Sequence, residues 1–247
     1  MPYTWAPAPP LPQPHAHALT AALESLHGRD GLLAVLLCGS VVRDEGGPTS
    51  DLDLYCLIDR PVRQRRHLVA ASGVLVEIFL NPAGQIRRYL ADERVRNRPS
   101  TAHMLVTGHA LLDRRPEVTA ALRAEAAALL QAGPDALSGT ERHLRIYGVR
   151  DLFEDAVDTT VDTALMYSQC LLAAVQLHYA LRRRWEPKMK RLPADLRQWD
   201  PGGADLLAAY AARPSLRSLR ALVEHVLIDE GGLPIRSWDM PEEPVPD

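Results

Sequence analysis

The sequence has little net charge. Its 28 basic and 31 acidic residues leave a formal charge of -3 over 247 residues. Proteins whose main work is coating nucleic acid carry a strong basic excess, so that class is disfavoured and no nucleic-acid partner is expected, although a local basic groove stays open. Cysteines are few and odd in number: Cys38, Cys56 and Cys170 lie far apart, with no CxxC pair that would suggest zinc. Cys38 and Cys56 sit inside apolar runs and read as buried free thiols, the pattern of a reducing compartment. No apolar run approaches the ~20 residues needed to span a bilayer, so no membrane partner is expected. The opening stretch, Met1 to Pro14, holds six prolines and lacks both a basic n-region and an apolar h-region, so it does not read as a signal peptide. A cytoplasmic protein is expected. Neither a GxxxxGK[ST] loop nor a GxGxxG turn occurs, which excludes the two commonest Gly-rich phosphate cradles.

What is present is organised in two halves. Residues 1–14 read as a flexible proline-rich arm. His15 to His27 has apolar residues at helical spacing, at Leu19, Ala22, Leu23 and Leu26, and is closed by Gly28 and Gly31. Leu32 to Cys38 is a continuous apolar run, too short for a helix of its own, and predicts a buried strand. Gly39 to Ser50 is rich in Gly, Pro, Asp and Ser and predicts a turn or loop. Asp51 to Ile58 predicts a second strand and Gly73 to Leu80 a third, stopped by Asn81-Pro82. Short helices follow through Thr107, then a short strand at Ala110 to Leu112. An Ala- and Leu-rich helix from Pro116 to Ala132 has Pro at its start. Gly133-Pro134 marks a boundary, beyond which the strand signal vanishes. Leu152 to Leu181 predicts one long amphipathic helix or two, and Asp205 to Tyr210 and Leu216 to Ile228 predict further helices. The expected architecture is α+β: a small sheet with helices over residues 15–133, then an all-α helical bundle over 134–247.

The carboxylates carry the chemistry. In a strand, residues i and i+2 point to the same face, about 6.6 Å apart. Asp51 and Asp53 form such a pair, and two carboxylates that close ionise together comfortably only with a cation between them. Oxygen-only ligands select magnesium or manganese. Glu77 stands alone among Val74, Leu75, Val76, Ile78, Phe79 and Leu80. A carboxylate there is costly unless it is paired or metal-bound, and a neighbouring strand would bring it to the same cluster. Three such groups are what two-metal phosphoryl chemistry needs. Gly39-Ser40 supplies the other half. It follows the first strand directly, where a chain turning into a helix exposes N–H groups, glycine lets a phosphate approach the backbone and the serine hydroxyl can bond a phosphate oxygen.

Gly39-Ser40, ten intervening residues, Asp51-Leu52-Asp53, then Glu77 in a Val-Glu-Ile-Phe strand together resemble the DNA polymerase beta-like nucleotidyltransferase superfamily. Its pattern is a Gly-Ser turn, a D-x-D/E pair and a third carboxylate. The resemblance covers about Leu32 to Leu80. The plan of a sheet domain followed by helices is similar to the bilobal antibiotic (aminoglycoside) adenylyltransferase branch. The resemblance implies a nucleotidyltransferase-type mixed sheet and roles for matching residues. Asp51 and Asp53 would be metal ligands, and Gly39 and Ser40 the phosphate turn. Glu77 would be the third metal ligand or the general base for the acceptor hydroxyl. Ser50 and Arg43, close to that turn, join the nucleotide-binding candidates.

Other constellations are weaker. The stretch Arg182 to Arg191, RRRWEPKMKR, reads equally as a solvated helix end, where cations are favoured. Alternatively Lys188 or Lys190 reaches the triphosphate, as a basic residue of the helical domain does in similar bilobal enzymes. Asp151, Asp155, Asp158 and Asp162 fall at i, i+4, i+7 and i+11 on one helix face. That stripe is either a solvated acidic face or, with Glu154 as an alternative base, a wall for a cationic acceptor. Glu154, Asp155 and Asp158 are the acceptor-binding candidates. His15 and His17 lack further ligands for a metal site, and His178 and His225 show no ligand spacing.

The expected activity is Mg²⁺- or Mn²⁺-dependent transfer of a nucleoside monophosphate, AMP from ATP, to a hydroxyl of a small molecule, with pyrophosphate leaving. An aminoglycoside-type antibiotic is a candidate acceptor. Two alternatives stay open: a protein-modifying, AMPylating enzyme of the toxin–antitoxin type, and a nucleotide-binding module without turnover. A monomer or a homodimer fits the sequence.

Overall fold

The computed structural model describes residues 3–43, 46–47, 49–161, 163–235, 237–239 and 242. The chain divides into two compact units, Met1–Gly133 and Pro134–Asp247, each with its own hydrophobic core.

The first unit contains helix α1 (Gln13–Leu26), strands β1 (Leu32–Cys38), β2 (Leu52–Ile58), β3 (Gln64–Val69) and β4 (Leu75–Asn81), helices α2 (Ala83–Arg96) and α3 (Ser100–Thr107), strand β5 (His109–Asp113) and helix α4 (Pro116–Ala132). The five strands form one sheet in the order β3-β4-β2-β1-β5. β2 and β4 are parallel, and the other neighbours are antiparallel. Alternation sorts each strand onto two faces. Leu52, Leu54 and Cys56 of β2 and Val76, Ile78 and Leu80 of β4 pack with Ala18, Leu19, Ala22 and Leu26 of α1 in one core. The intervening residues face the other way. There Leu36, Tyr55 and Leu57 meet Ile86 of α2, Leu105 of α3 and Leu122 of α4. Asp53 and Glu77 therefore lie on the second face, near the N-terminal ends of two adjacent parallel strands.

Two local devices hold α2 and α3 at that face. Asn97 ends α2 in the left-handed region, φ 55°, which Asn tolerates better than most residues. α3 has no side-chain cap of its own, since Pro99 precedes it. Glu93, buried on α2, substitutes by accepting the N–H groups of Thr101 and Ala102, two of the donors a helix N-terminus leaves unpaired.

The proline-rich opening, expected as a flexible arm, is packed over its described residues, from Tyr3 onward. α1 already begins at Gln13, and the stretch before it lies along the outer edge of β5. Ala6 donates its N–H to the Leu111 carbonyl at 2.7 Å, and His109 Nε2 meets the Pro7 carbonyl at 2.8 Å. Tyr3, Trp5 and Leu11 pack against the core. An edge strand presents unpaired backbone groups, and a covering segment that is poor in N–H donors blunts it.

The second unit contains α5 (Gly139–Asp158), α6 (Thr163–Leu181), α7 (Leu192–Trp199), α8 (Pro201–Ala212) and α9 (Leu216–Val226). α5 opens with a capping box between Ser138 and Glu141, an arrangement worth roughly 1 kcal/mol. Thr159 leaves the helical region and its hydroxyl bonds the Asp155 carbonyl at 2.7 Å. Leu152 to Leu181 is thus two helices rather than one. Asp151, Asp155 and Asp158 share α5, while Asp162 lies outside the described residues. Phe153, Leu177, Tyr179, Leu219, Leu222 and Val223 centre the core. Among the described residues no helix is long and apolar enough to cross a membrane. All three cysteines are free and buried.

Candidate active site

Strand register assembles the carboxylates. Asp53 pairs with Cys38 of β1 on one side and with Glu77 of β4 on the other. Asp51 stands one residue before β2 begins. Asp51, Asp53 and Glu77 each bring an oxygen within 4.8 Å of the others, and all three are half-buried. Oxygen-only donors converging at that spacing fit a hard divalent cation such as Mg²⁺ or Mn²⁺.

The turn after β1 is built around this cluster. Gly39 has φ +96°, and a Cβ there would lie 2.7 Å from Asp53 Oδ2. Glycine is thus required twice over, by backbone conformation and by the carboxylate beside it. Beyond it, within the turn or loop expected over Gly39 to Ser50, Val41–Arg43 make a single 3-10 turn, which aligns few backbone N–H groups. The loop is closed on itself: the Ser40 hydroxyl donates to Ser50 Oγ at 3.3 Å, and Ser50 Oγ accepts the Gly47 N–H at 2.8 Å. His15, buried on α1, meets the Ser50 carbonyl at 2.9 Å. His15 therefore anchors the loop. Asp44, Glu45 and Pro48 lie outside the described residues.

Residues 19–96 match the family profile described as a nucleotidyltransferase domain. The first unit carries a nucleotidyltransferase domain. This agrees with the polymerase beta-like resemblance of the Gly-Ser and Asp-Leu-Asp motifs, which lie inside the matched span. No curated protein matches the sequence. Among solved structures, the chain is similar to a nucleotidyltransferase-like protein from Exiguobacterium sibiricum 255-15, at 14% identity and a TM-score of 0.47, over 87% of this chain and 74% of that one.

Two further residues of the nucleotidyltransferase domain reach the cluster. His67 of β3 lies opposite Glu77 in the register. His67 Nε2 and Arg65 Nη2 approach Glu77 Oε1 at 3.0 and 2.6 Å, and the Arg65 guanidinium covers the Phe79 ring at 5.0 Å. Glu77 thus sits between two aspartates and two basic groups. Sequence reading missed both partners because the strand that carries them was not foreseen.

Arg43 belongs to the 3-10 turn, and its positive charge acts on both Cys38 and His103, which places it beside the end of β1 and α3. Burial first, and then the Asp53 charge, push the Cys38 thiol up to about 12. Cys38 is therefore a packing residue and not a nucleophile at neutral pH.

On the same sheet face an open pocket of about 510 Å³ adjoins the cluster. Tyr55 and Phe79 form part of its lining, each two residues beyond Asp53 and Glu77 on its strand. Arg63 and Arg65 line it from β3's side, Tyr89 from α2, and Ser100 and Thr101 from α3. Arg63 Nη1 donates to the Tyr89 hydroxyl at 3.1 Å. The remaining sequence candidates lie in the second unit. Lys188 and Lys190 are exposed at the turn after α6, and Glu154, Asp155 and Asp158 are exposed on α5.

Proposed function

We propose that the protein transfers a nucleoside monophosphate, AMP from ATP, to a hydroxyl of a small molecule, releasing pyrophosphate. The observation that carries this reading is the convergence of Asp51, Asp53 and Glu77 beside a glycine turn shaped around Asp53. These carboxylates would hold Mg²⁺ or Mn²⁺, which when bound supplies charge neutralisation at the triphosphate and activation of the attacking oxygen. Gly39 lets the β- and γ-phosphates approach the backbone, and Ser40, Ser50 and Arg43 bond them or offset their charge. Glu77, held by Arg65 and His67, is a metal ligand or accepts the hydroxyl proton. Most of the rate enhancement would come from position and charge. The free thiols fit a cytoplasmic location.

Sheet order favours one side for the acceptor. With the pyrophosphate over the turn that ends β1, in-line attack comes from the opposite flank, over β4 and β3. The pocket opens there. Its aromatic floor and two guanidinium groups favour an acceptor with a planar body and an anionic group, and they disfavour a polycation. A second reading keeps the aminoglycoside class, because Asp151, Asp155 and Asp158 share one exposed face of α5. The experiment is mass spectrometry of hydroxylated compounds, grouped as anionic, neutral and cationic, incubated with protein, ATP and Mg²⁺. Products heavier by one nucleoside monophosphate should come first from the anionic aromatic group. Products from the cationic group alone would favour the α5 face. Transfer to protein alone would favour the AMPylating reading, and unchanged ATP throughout would favour a module without turnover.

A further inference from the structure

Three helices of the second unit bring together a set of donors far apart in the sequence. His178 lies near the end of α6, Asp200 caps α8, and His225 lies in the last turn of α9. His178 Nε2 and His225 Nε2 each stand 2.7 Å from the same oxygen, Asp200 Oδ2. The other oxygen, Oδ1, accepts the Gly203 N–H at 3.0 Å, which fixes the carboxylate's orientation. The His178 ring stacks on Trp199, with centroids 5.0 Å apart and planes 24° from parallel. Exposure is graded: the side chains of His178, Asp200 and His225 are 4%, 17% and 30% exposed. One side of the set is therefore packed and the other open to water.

We propose that His178, Asp200 and His225 form a site for a borderline-soft divalent transition metal such as Zn²⁺, Co²⁺ or Ni²⁺. Two imidazole nitrogens and one carboxylate oxygen suit these ions and not Mg²⁺ or Ca²⁺, which prefer oxygen alone. The site thus differs in chemistry from the carboxylate cluster of the first unit. Adjacent ligands of an octahedral ion with bonds of about 2.1 Å lie about 3.0 Å apart, and those of a tetrahedral ion about 3.4 Å. Each imidazole must then withdraw from Asp200 by about 0.3 or 0.7 Å. The smaller movement favours an ion that accepts near-right-angle ligands, with water completing the open side. Binding would replace the two N–H bonds to Asp200 with metal bonds: a neutral ring moves its proton from Nε2 to Nδ1 and releases none, whereas a ring protonated on both nitrogens loses one proton to solvent. His178 Nδ1 is buried and has no hydrogen-bond partner. A ligating histidine usually donates from that second nitrogen, and its loss costs roughly 10–100-fold in affinity. The site is accordingly weaker than a structural zinc site. Its consequence is a metal-dependent clasp across α6, α8 and α9.

The test uses the full chain, Co²⁺ as probe and excess Mg²⁺ to occupy the carboxylate cluster. Wild type should bind one Co²⁺, develop visible d–d absorption and melt at a higher temperature. His225→Ala, at the most exposed ligand, should lose the absorption and the melting shift, with affinity down at least tenfold. His225→Cys should bind again and add a sulfur-to-cobalt charge-transfer band, which separates loss of a ligand from loss of fold. Asp53→Asn should bind Co²⁺ as wild type does. Failure of wild type to bind, equal binding by His225→Ala, or loss of binding in Asp53→Asn would each overturn the proposal. In the first two cases the three residues are a hydrogen-bonded clasp and no more.

Discussion

Replacing Gly39 by alanine separates a backbone requirement from a site requirement. The backbone part is common to any glycine at positive φ: an L residue there costs about 1–2 kcal/mol. Gly28 supplies the control, because it has φ +73° and its added Cβ would meet nothing within 4 Å. Both Gly39→Ala and Gly28→Ala should lose about 1–2 kcal/mol, a fall of roughly 3–10 °C in the melting of a unit this size. Only Gly39→Ala meets a carboxylate, since its Cβ would lie 2.7 Å from Asp53 Oδ2 where ordinary contact begins near 3.4 Å. Asp53 or the turn must yield by about 0.7 Å, and a misplacement of that order costs about 10–100-fold when it falls on a catalytic group. Mn²⁺ binding, followed by electron paramagnetic resonance of the free ion, should weaken about tenfold or more in Gly39→Ala and stay at the wild-type level in Gly28→Ala. Equal Mn²⁺ affinity in the two variants would show that the turn is not shaped around a metal-binding Asp53.

Arg63→Ala should raise the KM of an anionic acceptor at least tenfold while leaving ATP binding unchanged, because Arg63 lines the pocket beyond the cluster; an unchanged KM would move the acceptor elsewhere. Asp155→Lys combined with Asp158→Lys should leave that KM unaltered, and would raise it only for a cationic acceptor bound at α5. Burial raises the Glu93 carboxyl above its ordinary 4.5 despite the Thr101 and Ala102 N–H groups that pull it down. The folded state then holds this proton to higher pH than the unfolded state, so its contribution to stability falls as pH rises upward from 4.5. Glu93→Gln removes that decline, and urea denaturation across the window should show a flatter profile; the same slope in both proteins would refute the assignment.

Much of the first unit was legible because its strands are buried on both faces or end in strong punctuation. Leu32 to Cys38 and Pro116 to Ala132 occupy the ranges their patterns predict. β3 was not legible. Its sequence, Gln-Arg-Arg-His-Leu-Val, belongs to an edge strand whose residues are mostly exposed, and charges that protect an edge also erase the hydrophobic signal of a strand. Arg65 and His67 were lost with it. α5 was read only from Leu152 onward, although Ser138 and Glu141 carry the spacing of a capping box. The Gly-Ser and Asp-Leu-Asp motifs were visible because their spacing is local. The meeting of His178, Asp200 and His225 depends on how three helices pack, with separations of 22 and 25 residues from Asp200, and no periodicity reports it.

Calorimetric titration with a non-hydrolysable ATP analogue shows whether Asp51, Asp53 and Glu77 form a metal-dependent nucleotide site. Wild type should bind the analogue with Mg²⁺ at least tenfold more tightly than in a chelator. Asp53→Asn, with its fold intact by circular dichroism, should bind equally weakly in both conditions. Identical affinity with and without Mg²⁺ in wild type, or an undiminished Mg²⁺ effect in Asp53→Asn, would mean that these carboxylates do not hold the nucleotide's metal.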